Sequence, residues 1–514
     1  MRRNQKGQAV LLVVTALGVF LLGAVGLAVD GAQMYFQREM AQAAADSAAE
    51  AGIFSVFGST VVCPNTGCVY TAHTCVTADL STASPTQYLA PCSYASNNGF
   101  MSAADTVVVT YPSSPYNGVA GTSNPSFPQP FIQVAITRTL QTTLMHMFGS
   151  STSSVTAVGG AGIVQTSSPV PIVVLHPNLS GAFSVAGNSS ITICGGPNKS
   201  IQVNSISSTA VSAGTVNLSH AGPADLNEDC TLGTGADFGV FGGPTSAPGG
   251  ISFGTTGHYL QPSAPMSDPF RSIPAPCSTG LCAGTGGTQP ANAPAPTALS
   301  PGVGGCPSPL PKNNAPCSMY YPGYYSGGIQ IKNQTAVFQP GLYYLSGGGV
   351  DNTSNGWLFP CQSVGGVTCN NPGETGDLGT GSGVLFYLHY DGSNQSTINL
   401  GANSNATLAG SDNASTYQGL LFFSDRGAPA QTHSLGGGGD ISLIGTIYLV
   451  NPLSVTKANT SQYQTLYFRG NPGSGTTIRG EIVTDAVSLG GNSSVTMNLD
   501  PNYKLPVDQV ALVR

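Results

Sequence analysis

The stretches Gly187–Ile193 (GNSSITI) and Gly491–Met497 (GNSSVTM) are two copies of one short unit. In each copy a Gly-Asn pair is followed by alternating polar and apolar residues, a pattern typical of a strand that starts at a turn and buries one face. A shorter apolar run precedes each copy, at Phe183–Val185 and at Val487–Leu489. The repetition predicts two strands with apolar side chains in a common kind of core and with both asparagines at turns.

A looser copy lies at Ile398–Leu408, and Gly445–Ile447 and Gly480–Ile482 open similar runs. Short strands that stack on one another bury a continuous core, which is the construction of a β-solenoid or β-helix. The copies are irregularly spaced, so a β-sandwich with glycine-rich turns is the alternative. We therefore predict a large all-β region, preferably a β-solenoid, in two parts at residues 169–261 and 317–514.

The composition is that of a turn-rich β-protein. Of the 514 residues only 7% are charged, while 68 are glycine and 37 are proline. These values argue against a helical bundle. The net charge of −7 and the lack of a basic patch make nucleic acid an improbable partner. The Pro/Gly-rich segment 262–316 interrupts the strand pattern and is predicted to be a surface insertion or linker between the two halves.

A membrane span is predicted near the N-terminus. Residues 9–29 are uncharged and apolar, and about 20 such residues cross a hydrocarbon core as a helix. A cleavable signal peptide is the alternative, but its apolar region would be shorter and would end in a small-x-small motif. Residues 1–8 carry three basic side chains, so the positive-inside rule predicts a cytoplasmic tail there and an external location from Asp30 onward.

Residues 30–58 are predicted to continue this helix outside the membrane, because alanine has the highest helix propensity. Gly7-Gln8, Asp30 and the run Ala43–Gly52 (AAADSAAEAG) resemble the TadG-like N-terminal segment of tight-adherence (Tad/Flp) pilus assembly proteins. The resemblance implies a bacterial inner-membrane protein with one span and with most of the chain periplasmic or extracellular. It also implies a non-enzymatic role in pilus assembly, surface adhesion or envelope organisation, with pilus-assembly proteins as partners.

The same resemblance implies a set of assembly residues on the helix: Asp30, Ala44, Asp46, Ala48, Ala51 and Gly52. Small side chains allow close helix-to-helix approach, which favours a partner contact. The alternative is an alanine-rich stalk that packs on its own domain. A prepilin would carry a glutamate at the position of Leu12, so prepilin-type processing is not expected and an accessory protein is favoured over a fibre subunit.

Residues 59–168 are predicted to form a small cysteine-containing α/β domain, so that the whole chain is of the α+β class. Thr106–Thr110, Phe131–Thr137 and Val155–Val164 have strand patterns, and Leu140–Phe148 has the pattern of a short amphipathic helix. This region resembles the small domain that follows the anchor in TadE/TadG-type proteins. A long helix packed on a small sheet would have a pilin-like shape.

The chain has twelve cysteines, an even number that indicates disulfides in an exported region. Close spacing suggests the local pairs Cys277 with Cys282, Cys306 with Cys317, and Cys361 with Cys369. A second group could instead bind zinc: Cys63, Cys68, Cys75, Cys92 and His73. It lacks a Cys-x-x-Cys pair, so no metal site is predicted.

No catalytic constellation is evident, and we expect neither an enzyme nor a cofactor. The seven histidines are scattered, with no His-Glu-x-x-His pair and no Gly-x-Ser-x-Gly elbow. The alternative function is a membrane-tethered carbohydrate-active enzyme on a β-helix scaffold, which would need clustered carboxylates. The candidates for such a cluster are Asp412, Asp425, Asp440, Glu481 and Asp485.

A candidate ligand surface is formed by four tyrosines that follow the Pro-rich segment: Tyr320, Tyr321, Tyr324 and Tyr325. Tyrosine offers amphipathic contact area suited to a surface polysaccharide or a partner protein. The nearby segment Gly341–Leu345 is predicted to be a buried strand instead.

Overall fold

The computed structural model describes residues 5–513 apart from 58–70, 82–85, 113–118, 122–128, 143–144, 150, 168–169, 228, 267, 272, 278–288, 312–314, 370–382, 402–404, 411–416, 437, 452–460, 471–474 and 500–505. The chain divides into two compact units, Met1–Thr166 with Asp508–Arg514, and Ser167–Val507. The last residues of the chain thus belong to the first unit.

The first unit combines a long helix with an antiparallel sheet. Its helices are α1 (Gln5–Phe57) and α2 (Leu89–Asn97), with 3-10 turns η1 (Thr77–Leu80) and η2 (Met145–Phe148). Its strands, in sheet order, are β1 (His73–Thr74), β2 (Asp105–Thr110), β3 (Phe131–Gln141), β4 (Thr152–Ser167) and β34 (Pro506–Leu512). Helix α1 is long and apolar enough to cross a membrane, by length and composition.

The three strands predicted in this unit are confirmed as β2, β3 and β4, but the predicted helix over Leu140–Phe148 is wrong. Strand β3 continues through Leu140 and Gln141, which pair with Ser153 and Thr152 of β4. Among the described residues of this stretch, helical geometry is confined to η2. The backbone ladder with β4 satisfies the donors and acceptors of these residues, and this tertiary pairing outweighs the local helical pattern.

The second unit is all-β, and its described strands form three sheets. An eleven-stranded sheet holds, in spatial order, β12 (Ile251–Ser252), β10 (Thr215–Ala221), β7 (Ser190–Gly195), β33 (Ser494–Asn498), β30 (Gly475–Arg479), β27 (Ile441–Ile444), β24 (Asn405–Ala409), β21 (Trp357–Pro360), β18 (Thr335–Phe338), β15 (Cys317–Tyr320) and β14 (Thr297–Leu299). A ten-stranded sheet holds β13 (Tyr259–Leu260), β11 (Asp237–Val240), β8 (Lys199–Val203), β5 (Ile172–Val174), β31 (Ile482–Thr484), β28 (Thr446–Leu449), β25 (Leu420–Ser424), β22 (Val384–His389), β19 (Gly341–Ser346) and β16 (Gly323–Ser326). An eight-stranded sheet holds β17 (Ile329–Lys332), β20 (Gly349–Ser354), β23 (Thr397–Leu400), β26 (Gln431–Leu435), β29 (Gln464–Gly470), β32 (Ala486–Gly491), β6 (Phe183–Val185) and β9 (Val211–Ser212).

Consecutive strands enter these sheets in turn. Strand β15 lies in the eleven-stranded sheet, β16 in the ten-stranded sheet and β17 in the eight-stranded sheet, and β18 returns to a position beside β15. From β15 to β33 the chain repeats this order, so neighbours within a sheet are there three strands apart and run parallel, as β18 does with β15. Strand β14, at the end of the eleven-stranded sheet, pairs antiparallel with β15. The predicted large all-β region is confirmed, and its sheets are parallel.

The two copies of the GNSS unit are neighbouring strands. Strands β7 and β33 pair in parallel register, with Ile191 opposite Val495. The apolar side chains of both copies lie in one buried core. Asn188 Nδ2 donates a hydrogen bond to Asn492 Oδ1 at 3.1 Å, between residues 304 positions apart. The predictions of a common core and of asparagines at turns are therefore confirmed.

The first strands of the second unit pair with its last strands. Strands β5, β6 and β7 lie beside β31, β32 and β33, and the stack continues outward from them to β13. Strands β14 and β15 lie at the opposite end of the eleven-stranded sheet. Segment 262–316 therefore carries the chain from one end of the stack to the other.

Part of this connecting segment is buried. Phe270 and Ile273 pack on the outward-facing side chains of the ten-stranded sheet, among them Phe423 and Tyr448. Arg426 donates hydrogen bonds to the carbonyl oxygens of Ile273 at 2.6 Å and of Phe270 at 2.7 Å. The planar guanidinium fixes the directions of both hydrogen bonds, so this one side chain holds the segment against the sheet.

Gly445 directly precedes strand β28 and has a φ of +121°. An added Cβ would lie 2.7 Å from the carbonyl oxygen of Gly419 in the neighbouring turn. We expect Gly445→Ala to lower the free energy of unfolding by roughly 1–3 kcal/mol, because the backbone is strained for any other residue and the contacted atom is itself backbone. Gly475→Ala is the matched control, since no atom lies within 4 Å of its added Cβ. Urea titrations of both variants test this; equal losses would contradict it.

His433 predicts a pH dependence of stability. It is fully buried, its Nε2 donates to Gln464 Oε1 at 2.8 Å, and its Nδ1 accepts from the Ile398 N–H at 3.2 Å. Burial lowers the pKa of His433 from 6.5 to about 4. Between these two values the unfolded chain binds a proton at His433 that the folded chain does not bind. The contribution of His433 to the free energy of unfolding is therefore fully present above pH 6.5 and is lost as the pH falls towards 4.

We expect the wild type to lose about 3 kcal/mol more than His433→Gln across this window. Glutamine can donate and accept hydrogen bonds at the same place but does not titrate. The measurement is the free energy of unfolding in urea at the two ends of the window. An identical pH dependence in both proteins would show that His433 does not carry the effect.

Candidate functional site: the N-terminal helix and its supporting sheet

The outer half of helix α1 has one face made of small residues. Members three or four positions apart share this face, and they are almost inaccessible to solvent: Ala41, Ala44, Ala45, Ala48, Ala49 and Ile53. They form one core with apolar residues of β3 and β4, including Ile136 and Ala157. Alanine both favours the helix and allows its backbone to approach the sheet closely.

The closest approach is at Gly159 of β4. A Cβ at this position would collide with the backbone of Ala45 and Asp46 in α1. Beside it, Gln42 Nε2 donates to the Val158 carbonyl at 2.8 Å and also to Asp46 Oδ1 at 2.9 Å. A glycine inside a strand often marks a close backbone approach, so the Gly159-Gly160 pair was a signal for this contact that our sequence analysis missed.

Arg138 joins the helix, the sheet and the end of α2. Its Nε and Nη2 form a bidentate pair with Asp105 at 2.6 and 2.9 Å, and its Nη1 donates to Gln37 Oε1 at 3.1 Å. Nη2 also donates to the carbonyl of Gly99, and the guanidinium stacks 4.1 Å from the centroid of the Phe100 ring. Burial opposes ionisation of Asp105, but hydrogen bonds from Arg138 and Ser102 hold its pKa below the ordinary value. No local sequence signal marks this residue.

Asp30 follows directly on the apolar stretch of α1 and is only 2% exposed. Its Oδ2 accepts a hydrogen bond from the backbone N–H of Met145 at 2.8 Å. Met145 is the first residue of η2, which lies in the connection between β3 and β4. A carboxylate that accepts a backbone N–H makes a strong, charge-assisted bond, so Asp30 holds this connection against the helix.

Helices α1 and α2 enclose an open groove on a different face of α1. Its volume is about 540 Å³, and its lining consists of Ser47, Glu50, Ala51, Phe54 and Ser55 of α1 with Ala90 and Tyr94 of α2. Phe54 is 44% exposed and Tyr94 is 50% exposed. The groove and its aromatic rim belong to the first unit, and within that unit no other described element covers their exposed rings.

The predicted assembly residues thus divide into two groups. Asp30, Ala44, Ala48 and Gly52 are buried within the protein's own domain, whereas Asp46 and Ala51 are half-buried. Ala44 and Ala48 lie in one core with residues of β3 and β4. The contact of the assembly residues with a partner stays a prediction.

The structure does not bring the four predicted tyrosines onto one surface. Tyr320 is 8% exposed and lies in the inner core, where Gln334 Nε2 donates to its hydroxyl at 2.8 Å. Tyr325 packs against the same core, while Tyr324 packs with the outward-facing cluster of the ten-stranded sheet. Tyr321 is half-buried and shares a 2.7 Å hydrogen bond with Thr297. Gly341–Ser346, in contrast, is the buried strand that was predicted.

The candidate carboxylates have separate local surroundings. Asp425 Oδ2 accepts from His389 Nδ1 at 2.9 Å, and the His389 ring lies 5.0 Å from that of Tyr344. Asp440 is exposed, whereas Glu481 and Asp485 are fully buried. Asp485 Oδ2 accepts the N–H groups of Asn451 and Gln464. Asp412 lies outside the described residues. Asp425 orients one ring nitrogen of His389, which is the arrangement that a proton-transfer site would use.

Four disulfides are formed among the described cysteines: Cys75–Cys92, Cys194–Cys230, Cys306–Cys317 and Cys361–Cys369. Two of the three predicted local pairs are therefore confirmed. Cys277 is disulfide-bonded, but Cys282 lies outside the described residues, and so do Cys63 and Cys68. The alternative zinc site loses two ligands, since Cys75 and Cys92 bind each other. No group of three or more metal-ligating side chains occurs in the described part of the chain.

Comparison with protein families supports the N-terminal resemblance. Residues 7–53 match the model of the family described as "Putative Flp pilus-assembly TadE/G-like". The matched segment coincides with helix α1, including its alanine face and Asp30. The N-terminal helix is therefore similar to the TadE/G-like family over residues 7–53, as the resemblance of its residues predicted.

Comparison with solved structures gives the competence-associated pilin ComZ from Thermus thermophilus. The identity is 10%, the alignment covers 79% of this chain and 83% of the pilin, and the TM-score is 0.24. This TM-score is too low to indicate a common fold. A comparison with curated proteins gave no match.

The contact between α1 and β4 can be tested with Gly159→Ala. The added methyl group would meet the helix backbone, so we expect a loss of roughly 1–3 kcal/mol in the stability of the first unit. Gly31→Ala is the control, because it lies in the same helix with no atom within 4 Å of an added Cβ. The control should be neutral or slightly stabilising, since alanine favours a helix over glycine. Thermal unfolding of the purified full chain would contradict the contact if both variants had the same Tm.

Proposed function

We propose that this protein is a bacterial single-pass inner-membrane protein that acts without catalysis in Tad/Flp pilus assembly, surface adhesion or envelope organisation. The observation that carries the proposal is the coincidence of two features in α1. The TadE/G-like match covers residues 7–53, and the same helix has an apolar inner half and an outer half that packs on its own sheet. An anchor and a rigid stalk are thus combined in one element.

The anchoring part of the proposal is supported by the exposure of the apolar half of α1. Side chains such as Leu11 and Phe20 are each 71% exposed. Their exposure to water would be unfavourable, whereas a bilayer would solvate them. The basic residues before the stretch favour a cytoplasmic N-terminus. The disulfides of both units fit a periplasmic or extracellular location of the remaining chain, because such bonds persist in oxidising compartments.

We also infer that the three parallel sheets are the faces of a β-solenoid. The return of every third strand to the same sheet supports this inference, as does one core that contains residues from each sheet, such as Ile398, Phe386 and Leu408. Stacked rungs present long, regular outer surfaces. Such surfaces suit adhesion or binding of a surface polysaccharide.

Pilus-assembly partners would use the face of α1 that the sheet leaves accessible. Phe36 is 62% exposed, Met40 is 40% exposed and Phe54 is 44% exposed. At a repeat of 3.6 residues per turn these side chains lie along one side of the helix, opposite the alanine face. Exposed large apolar side chains in a row are typical of an interaction surface.

The proposal can be tested in cells of a strain that carries a Tad system. A photo-reactive amino acid at the exposed position Ala43 should crosslink to inner-membrane pilus-assembly components, whereas the same amino acid at the buried position Ala48 should not. Protease added to spheroplasts should digest the chain beyond Phe57 and leave the N-terminal segment with the membrane.

Two results would count against the proposal. Equal crosslinking from both positions, or crosslinks only to unrelated proteins, would remove the pilus-assembly role. Recovery of a soluble chain that begins near Asp30 would remove the anchor.

A further inference from the structure

The turn η2 is held at the level where the apolar part of α1 ends. The apolar stretch covers residues 9–29, and Asp30 is the next residue. The N–H of Met145, at the start of η2, donates to Asp30 Oδ2 at 2.8 Å. If α1 crosses a bilayer with its apolar stretch, η2 lies where the helix emerges from the hydrocarbon core.

The composition of η2 is unusual for a turn that connects two strands. Its sequence is Met-His-Met-Phe, and a glycine follows it. The turn connects β3 and β4, whose ends are closed by a hydrogen bond from Thr142 N–H to the Ser151 carbonyl at 3.2 Å. Connections of this kind are usually polar, with turn-forming residues. An apolar tip without an acidic residue fits a lipid surface better than water.

Helix α1 carries a second feature at a neighbouring level. Tyr35 and Phe36 are 67% and 62% exposed, five and six residues after Asp30. A rise of 1.5 Å per residue places them about 8 Å further along the helix. Aromatic side chains are enriched at the membrane–water interface, where the ring contacts the acyl boundary and the polar edge contacts the headgroups.

We propose that η2 is a second membrane contact: the tip of the β3–β4 connection rests on the surface of the bilayer that α1 crosses, and Asp30 positions it there. This inference rests on the proposed membrane span. The contact adds a fixed point beside the helix, so the antiparallel sheet keeps a defined height and tilt above the lipid surface. The ligand is the lipid headgroup and acyl boundary, as for interfacial amphipathic segments.

Tryptophan fluorescence can test the contact, because the chain has one tryptophan, Trp357, and Trp357→Phe gives a silent background. In this background, His146→Trp reports on η2, Phe20→Trp on the span and Phe54→Trp on the far end of α1. Phe54 lies about 36 Å beyond Asp30 along the helix. Each full-length protein is reconstituted in phosphatidylcholine–phosphatidylglycerol vesicles with and without phosphatidylcholine brominated on its acyl chains.

We expect bromolipid to quench the Phe20→Trp protein strongly and to leave the Phe54→Trp protein unchanged. The His146→Trp protein should lose at least half of the fraction of emission that the Phe20→Trp protein loses. Quenching of Phe20→Trp with none of His146→Trp would overturn the surface contact and leave the span intact. Absence of quenching in Phe20→Trp would overturn the span, and with it both the anchor and this inference.

The positioning role of Asp30 is tested in the His146→Trp background. Asp30→Asn keeps an oxygen that can accept the Met145 N–H and should retain the quenching, whereas Asp30→Leu has no acceptor and should reduce it to the level of Phe54→Trp. Resistance of the sheet to limited proteolysis shows that each variant is folded. Equal quenching in a folded Asp30→Leu protein would overturn the positioning role.

Discussion

The structure of the larger unit depends on parallel pairing between strands that are distant in sequence. Each strand is short, and a short parallel strand is stable only between neighbours. Strands β5, β6 and β7 find one set of neighbours in β31, β32 and β33, so the beginning of the unit is completed by its end. The pairing of Ile191 with Val495 joins these two parts into one core. The chain must therefore travel from one end of the stack to the other, and this explains why part of the Pro-rich segment is packed against the ten-stranded sheet and held by Arg426.

The first unit depends on a different constraint, the short distance between a helix backbone and a strand backbone. Gly159 and the alanines around Ala45 make this distance possible, and Arg138 ties the same helix to β2 and to α2. Residues that resemble those of a pilus-assembly family thus have a structural role within their own domain. The other side of α1, with Phe36 and Phe54, is exposed, and Asp30 holds η2 at the end of the apolar stretch. In the function that we propose, one helix serves as anchor, core element and contact surface.

Local patterns predicted much of this. The helix over the apolar stretch and the alanine run, the three strands of the small sheet, the turns and strands of the GNSS copies and two disulfides are confirmed, because each of these elements depends on residues close together in sequence. The helix expected over Leu140–Phe148 failed because a strand ladder with β4 satisfied the same backbone groups. The four predicted tyrosines do not share one surface: Tyr320 and Tyr325 pack in the inner core, whereas Tyr324 packs with the outward-facing cluster, since alternate residues of a strand point to opposite sides. Arg138 and Arg426 were missed, because their partners are brought to them only by folding.

The sequence by itself determined the kinds of element: a helix with an apolar half and a small-residue half, and short strands that alternate between buried and exposed positions. Periodicity, propensity and turn chemistry act over a few residues, and the sequence contains all of that information. Tertiary structure decided which strands are neighbours, which face of α1 is covered and which buried polar groups meet. These outcomes depend on burying apolar area and satisfying backbone hydrogen bonds over the whole chain at once. The resemblance of the first helix to the TadE/G family could be seen in its residues, but only the packing showed that its alanine face belongs to the protein's own core.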